Sequence, residues 1–261
     1  MDVRLALIGL LVGLVVGFSG IGGSSFMTPL LILFVHVNPV VAVGTDLVYS
    51  VPTKLVGAWV HMRQGTVSKR VVLLLCLGGI PGAIIGVSAL GIVRAHIDAT
   101  ALNLLAKRAV GIVLLVAAAM MALTPLLQRR KSGDLVVPEA SDLPAMPKGR
   151  LIGLGALVGI LVSWTSIGSG SITLPALSLL LPRLGVRLRV GSDIAFAALL
   201  IPVAAAAQVG MGNVNLLMSG NLLIGSIPGV FIGSKLCRYV PEGWLRPTLA
   251  GVLVLAASRL L

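Results

Sequence analysis

Charge is scarce in this chain. Only 11% of its 261 residues are Asp, Glu, Lys or Arg, against 57% hydrophobic, too little polar surface to coat a soluble globule of this size. Acidic groups are scarcer still, 8 against 20 basic ones. The resulting net charge of +12 does not point to nucleic acid, because the lysines and arginines are scattered through short loops without interleaved surface aromatics, which make up only 4% of the chain. Contacts with lipid head groups and a role in setting membrane topology account for them better. Two cysteines, Cys76 and Cys237, stand in apolar segments without CxxC or Cys/His spacing, so no disulfide, metal site or cofactor is expected. What remains is an all-α polytopic membrane protein.

Long hydrophobic runs are abundant, and one of them is broken. From Leu5 to Phe34 there is no charged residue, yet a straight helix of that length would extend roughly 45 Å against a hydrocarbon core of about 30 Å. Inside it lies Gly17-Phe18-Ser19-Gly20-Ile21-Gly22-Gly23-Ser24-Ser25-Phe26-Met27-Thr28-Pro29, a run of small residues suited to a turn within the bilayer. Two half-helices of about a dozen residues each, Leu5–Phe18 and Ser25–Val35, fit the length and the composition. The break leaves free N–H groups at the start of the second half-helix, and bare backbone is tolerated at that depth only where it faces protein or lines a cavity.

The device recurs. Ser166-Ile167-Gly168-Ser169-Gly170-Ser171-Ile172-Thr173-Leu174-Pro175 repeats the first stretch at an offset of 146, matching Ile21, Gly22, Ser25 and Pro29 with Ile167, Gly168, Ser171 and Pro175. At an offset of 147, Val43-Gly44-Thr45-Asp46-Leu47 corresponds to Val190-Gly191-Ser192-Asp193-Ile194, and Gly78, Pro81, Gly82 and Gly86 to Gly225, Pro228, Gly229 and Gly233. The chain is thus expected to hold two copies of one unit: a first membrane repeat over 1–127, a hydrophilic linker over 128–150 and a second repeat over 151–261. Each unit is predicted to contain a broken, re-entrant helix pair and three transmembrane helices. These are near Val41–His61, Val71–Val93 and Ala101–Leu123 in the first unit. In the second, after half-helices near Leu151–Val162 and Ser171–Leu181, they are near Val190–Val209, Leu216–Cys237 and Trp244–Leu261. The glycines of the helix at 71–93 are expected to serve close helix packing.

Loop charge bears on orientation. With four crossings per unit the halves would be parallel, and basic residues would divide ten to nine between the two sides of the membrane. With three, the halves are inverted. Then Arg63, Lys69, Arg70, Arg129, Arg130, Lys131, Lys148, Arg150, Arg183, Arg187, Arg189, Lys235, Arg238 and Arg246 share one side, and Arg4, Arg94, Lys107, Arg108 and Arg259 the other. Fourteen against five is a positive-inside signal. It favours an inverted repeat with the linker cytoplasmic and both termini periplasmic.

Two half-helix N-termini brought to one midplane cavity would offer partial positive charge and free N–H groups to an anion. The candidate contacts are Gly22, Gly23, Ser24, Ser25, Gly168, Ser169, Gly170 and Ser171, with tight packing as the competing explanation of these small residues. Asp46, Ser50 and Lys54 recur every four positions and so share a helical face. Lys54 is the candidate counter-charge, with snorkelling to the interface as the alternative. Asp46, Asp193 and His61 are candidates for proton coupling; N-capping competes for the two aspartates, which stand near helix starts. Ile201 and Gln208 replace Lys54 and His61 in the second repeat, so the polar chemistry is asymmetric where the backbone plan is not.

These residues carry a resemblance to the sulfite exporter TauE/SafE family, also called the toluene sulfonate uptake permease family. It rests on Gly20-Ile21-Gly22-Gly23 through Pro29, Gly168-Ser169-Gly170 through Pro175, Val43-Gly44-Thr45 and its copy, and Gly65 and Gly212 at the ends of equivalent helices. The resemblance implies a secondary transporter of small sulfur-containing anions such as sulfite, thiosulfate or organosulfonates across the bacterial inner membrane, with no cofactor. That family usually has a small hydroxyl residue where this chain has Asp46 and Asp193. A passive anion channel of the same fold is the alternative, separable by flux that ignores a proton gradient. Gly17-Phe18-Ser19-Gly20 also has the look of an intramembrane serine protease motif, but His36, His61 and His96 are the only possible bases, and a duplicated motif suits a carrier better than an enzyme with one nucleophile.

Overall fold

A computed structural model describes residues 3–19, 24–129, 147–236 and 242–261. Among them are ten helices: α1 (Val3–Ser19), α2 (Ser24–Phe34), α3 (Pro39–Arg63), α4 (Lys69–His96), α5 (Ala99–Arg129), α6 (Lys148–Thr165), α7 (Thr173–Leu180), α8 (Val186–Gly210), α9 (Leu216–Leu236) and α10 (Glu242–Leu260). No strand occurs among the described residues. Four helices are long and apolar enough to cross a membrane: α4, α5 over Ala99–Leu123, α6 and α8. α3 has the length, with Asp46, Ser50 and Lys54 in its interior.

Two local predictions need revision. The expected half-helices of about a dozen residues are too short for the first limb of each broken pair, since α1 has 17 residues and α6 has 18. Lys148 and Arg150, placed in the linker by their charge, belong instead to the first turn of α6, where long basic side chains can keep their heads in the polar interface. The second limbs are shorter, 11 residues in α2 and 8 in α7.

The helices in most extensive contact are α1 with α9 and α4 with α6, and glycine makes both contacts possible. On α4, Gly78, Gly82 and Gly86 lie against the backbone of Ile152, Ala156 and Ile160 on α6; in return Gly155 and Gly159 of α6 lie against Leu75 and Gly79. On α9, Gly225 and Gly229 meet Ala6 and Leu10 of α1, while Gly9 and Gly13 meet Leu222 and Ser226. Residue numbers rise together along both pairs, so the paired helices run in the same direction. Between two membrane helices no hydrophobic force acts, and close backbone approach with its dispersion contacts supplies the attraction.

α3 and α8 cross in the opposite sense. Thr66, just past the end of α3, packs on Gly191 near the start of α8, and Asn213, just past the end of α8, packs on Gly44 near the start of α3. The Ser68 N–H donates to Ser192 Oγ at 2.9 Å, and the Asn215 N–H donates to Thr45 Oγ1 at 3.1 Å. Both helices stop in the same way. Gly65 (φ 67°) and Gly212 (φ 73°) take the left-handed conformation that closes a Schellman cap, with Thr66 N–H donating to His61 O and Asn213 N–H to Gln208 O, each at 3.0 Å. Arg94, near the end of α4, donates to the Met211 carbonyl and to Asn213 Oδ1, so the ends of α4 and α8 lie together.

A side chain at Gly82 has nowhere to go, because a Cβ there would stand 2.8 Å from Ala156 Cα. Gly82→Leu is expected to lower stability in detergent by at least about 1–3 kcal/mol, the usual penalty of overpacking. Gly153, on the same helix pair, has nothing within 4 Å of a built Cβ, and Gly153→Ala should hold or raise stability by about 0.5–1 kcal/mol. Thermal unfolding of the two variants measures the contrast; equal destabilisation would remove backbone contact as the basis of the α4–α6 pair.

Candidate functional site

The second break is the best described part of the chain interior. α6 ends at Ser166 in the left-handed region (φ 59°), and Gly168 (φ 153°) and Gly170 (φ 84°) carry the chain through conformations that a side chain disfavours. The Thr165 hydroxyl accepts from the Ile167 N–H at 3.2 Å, and the Gly168 carbonyl accepts from the N–H groups of Ile172 and Thr173. Part of the backbone freed by the break is therefore taken up by the loop itself. The equivalent Gly22 and Gly23, and the side chain of Ser24, lie outside the described residues.

Several hydroxyls around the breaks are not taken up. Ser25 Oγ near the start of α2, and Ser166, Ser169 and Ser171 Oγ in the loop before α7, are buried without a hydrogen-bond partner. A buried hydroxyl left unpaired costs roughly 1–3 kcal/mol. All four lie at the two duplicated motifs.

Three charged groups adjoin them. Asp46 is fully buried; the Thr28 hydroxyl donates to its Oδ2 at 2.7 Å and the Ser50 hydroxyl to its Oδ1 at 3.4 Å, with the Ser166 side chain close by from the other half of the chain. Asp193, 3% exposed, lies beside the Gly170 N–H and the Thr173 hydroxyl, but its Oδ1 has no partner. Lys54 is 6% exposed. Its strongest electrostatic partner is Asp193, followed by Asp46. The lysine is buried in the protein and not extended along its surface, and a buried ammonium needs such partners.

The aspartates do not cap their own helices. Each is the eighth residue of its helix, counted from Pro39 in α3 and from Val186 in α8, and the N-cap positions are Asn38 and Gly185. Both carboxylates instead reach the second limb of the broken pair in their own half, through Thr28 of α2 and through Gly170 and Thr173 at the entry to α7. Thr28, Ser166 and Thr173 were visible within the duplicated motifs, but nothing in their spacing marks them as partners of residues 18 to 120 positions away.

His61 is placed apart from this cluster. It lies in the last turn of α3, seven residues beyond Lys54 and so roughly 10 Å further along the axis, and its Nδ1 shares a 2.8 Å hydrogen bond with Thr66 Oγ1. The corresponding Gln208 makes an equivalent bond, its Oε1 accepting from Asn213 Nδ2 at 2.8 Å. Histidine and glutamine thus do the same local work at equivalent helix ends.

Thr28→Val keeps the shape of the residue and removes the shorter hydrogen bond to Asp46. Loss of about 1–3 kcal/mol of stability is expected, read as a lower thermal midpoint, with Thr28→Ser restoring most of it. An unchanged midpoint in Thr28→Val would show that Asp46 does not depend on this hydroxyl.

The whole chain aligns with known proteins. The family model described as sulfite exporter TauE/SafE matches residues 5–260. The chain is 36% identical over 264 residues to "Probable membrane transporter protein YjnA" of Bacillus subtilis (strain 168), covering 100% of both sequences. It is 26% identical over 254 residues to "Probable membrane transporter protein YdhB" of the same strain, covering 94% of this chain and 96% of that protein. No solved structure matches it significantly. A match of this extent, on a chain of apolar helices broken twice by the same motif, makes the protein a membrane transporter of the TauE/SafE family.

Proposed function

We propose that the protein is a secondary transporter that moves small sulfur-containing anions, such as sulfite, thiosulfate or organosulfonates, across the inner membrane, with proton coupling and alternating access around a midplane site. The observation that carries this is the set of unpartnered buried hydroxyls of Ser25, Ser166, Ser169 and Ser171 at the two duplicated motifs, with a buried Lys54 whose charge partners, Asp193 and Asp46, adjoin the second break. A sulfur oxyanion presents several acceptor oxygens and matches hydroxyl donors, exposed loop N–H groups and one cation. Gly168 and Gly170 let it approach the loop backbone, and Gly22, Gly23 and Ser24 are proposed to do the same in the first half.

Alternating access follows from an inverted pair of repeats, the arrangement proposed here. It is supported by the antiparallel α3–α8 crossing, by the meeting of the α4 and α8 ends at Arg94, and by the fourteen-to-five division of basic residues. Parallel halves would put the ends of α4 and α8 on opposite sides of the membrane. Rocking of one repeat against the other would then expose one site to each side in turn. The linker is assigned to the cytoplasm and both termini to the periplasm.

Two experiments test this. Single cysteines placed between 130 and 146 should be shielded from impermeant thiol reagents in intact cells, while one appended after Leu261 should be labelled; labelling of both from the same side would restore parallel halves. At the site, Lys54→Met retains most of the aliphatic stem without the charge and should weaken thiosulfate binding about tenfold or more, at least ~1.4 kcal/mol, whereas Lys54→Arg keeps part of the affinity. Wild-type affinity in Lys54→Met would take this lysine out of the site.

A further inference from the structure

The two aspartates occupy equivalent positions, but their surroundings differ. Asp46 has a hydroxyl donor on each oxygen, from Thr28 and Ser50. Asp193 lies beside the Gly170 N–H and has one oxygen with no partner, while Ser169 and Ser171 of that loop carry unpartnered hydroxyls of their own. The lysine contributed by the other half of the chain acts more strongly on Asp193 than on Asp46. Asp193 therefore stands among the donors that an incoming anion would use.

Resting on the anion-transport reading above, we propose that Asp193 is a built-in competitor of the substrate anion: ionised, its charge is matched by Lys54, and the anion takes over Lys54 and the unpartnered donors of the loop before α7 when Asp193 receives a proton from water. Asp46, already satisfied by hydroxyls, stays as it is. The charge balance explains why the exchange is needed. With Lys54 charged and both carboxylates ionised the cluster carries one net negative charge, so a monoanion entering it would make two in a buried site, where unscreened repulsion is severe. A proton on Asp193 first neutralises the cluster, and the anion then restores the original net charge. One anion and one proton enter together, and neither is favoured alone.

The other titratable groups around Asp193 leave this assignment intact: α8 itself carries Arg187 and the buried Arg189 in its first turn, and neither is among the groups whose charge acts on Asp193. α7 contributes none. Apart from the Cys76 thiol on α4, those of α4 and α6 lie at the helix ends, and α3 presents Asp46, Tyr49 and Lys54 in its interior. Of these, Lys54 is the group whose charge acts on Asp193.

The test is the pH dependence of anion binding by the full chain in detergent, with isethionate, a monoanion of constant charge around neutral pH, as the probe of proton linkage and thiosulfate, a dianion of constant charge there, as a second probe of binding alone. Wild-type affinity should fall by about tenfold per pH unit above the range in which Asp193 protonates, the slope of one linked proton. Calorimetry in buffers of different ionisation enthalpy should register uptake of about one proton per anion. Asp193→Asn should flatten the slope and abolish the uptake. Asp193→Thr, which retains an oxygen for the Gly170 N–H, serves if the amide variant does not fold. A carboxylic-acid carbonyl band in the infrared should grow on adding anion to the wild type and not to either Asp193 variant. Retention of slope and proton uptake without the carboxyl at 193 overturns the assignment alone. Failure of the folded wild type to bind either probe at any pH overturns the sulfur-anion reading, and this inference with it.

Discussion

Backbone laid directly against backbone is the contact on which this molecule depends. A bilayer gives two apolar helices no reason to leave lipid for each other, so α4 with α6 and α1 with α9 must draw their attraction from close approach. Glycines on both members of each pair permit it. These pairs join the first limb of each broken helix to a long helix of the other half, so the depth of each break is set by a partner from across the chain. Trp164, two residues before the second break, is fixed in the same way, its indole N–H donating to the Gly86 carbonyl at 2.8 Å.

The second break thus comes to lie beside the α3–α8 crossing, where the buried charges are. A chain that stops being helical inside a membrane must pair its freed groups or leave them facing something other than lipid. The loop before α7 does both. Its Gly168 carbonyl accepts from the Ile172 and Thr173 N–H groups, while the hydroxyls of Ser166, Ser169 and Ser171 have no partner. Under the proposed anion transport, preformed donors of this kind would need little rearrangement when an anion arrives, and the stability lost in leaving them unpaired would be the cost of that readiness.

Much of the scaffold was legible before any coordinates. The recurrence of Gly78, Gly82 and Pro81 as Gly225, Gly229 and Pro228 marked the surfaces of closest packing, and Gly65 and Gly212 marked helix ends, because glycine is retained where a side chain will not fit or a left-handed turn is required. The four-residue spacing of Asp46, Ser50 and Lys54 correctly put them on one buried face. The length of α6 was harder to read, since Lys148 and Arg150 look like linker yet belong to a helix. The aspartates were harder still. Nearness to a helix start suggested N-capping, but their partners lie on other elements, and neither the Thr28 hydroxyl nor the Gly170 N–H is distinguishable in sequence from its neighbours. Spacing reveals contacts within one helix; contacts between helices depend on crossing geometry that no local pattern encodes.

That geometry gives Lys54 a particular place. It lies one residue from the midpoint between Gly44 and Thr66, the two ends of the α3–α8 contact, and Ile201 holds the matching place between Gly191 and Asn213. A position at the centre of a crossing between two like helices meets its own counterpart, so identical halves would set two lysines face to face, or none. Divergence at this one pair resolves the dilemma: isoleucine on α8 leaves the centre to a single ammonium within reach of a carboxylate from either side. Near-symmetry elsewhere makes the two carboxylates equivalent in position, and the broken symmetry here makes them share one cation.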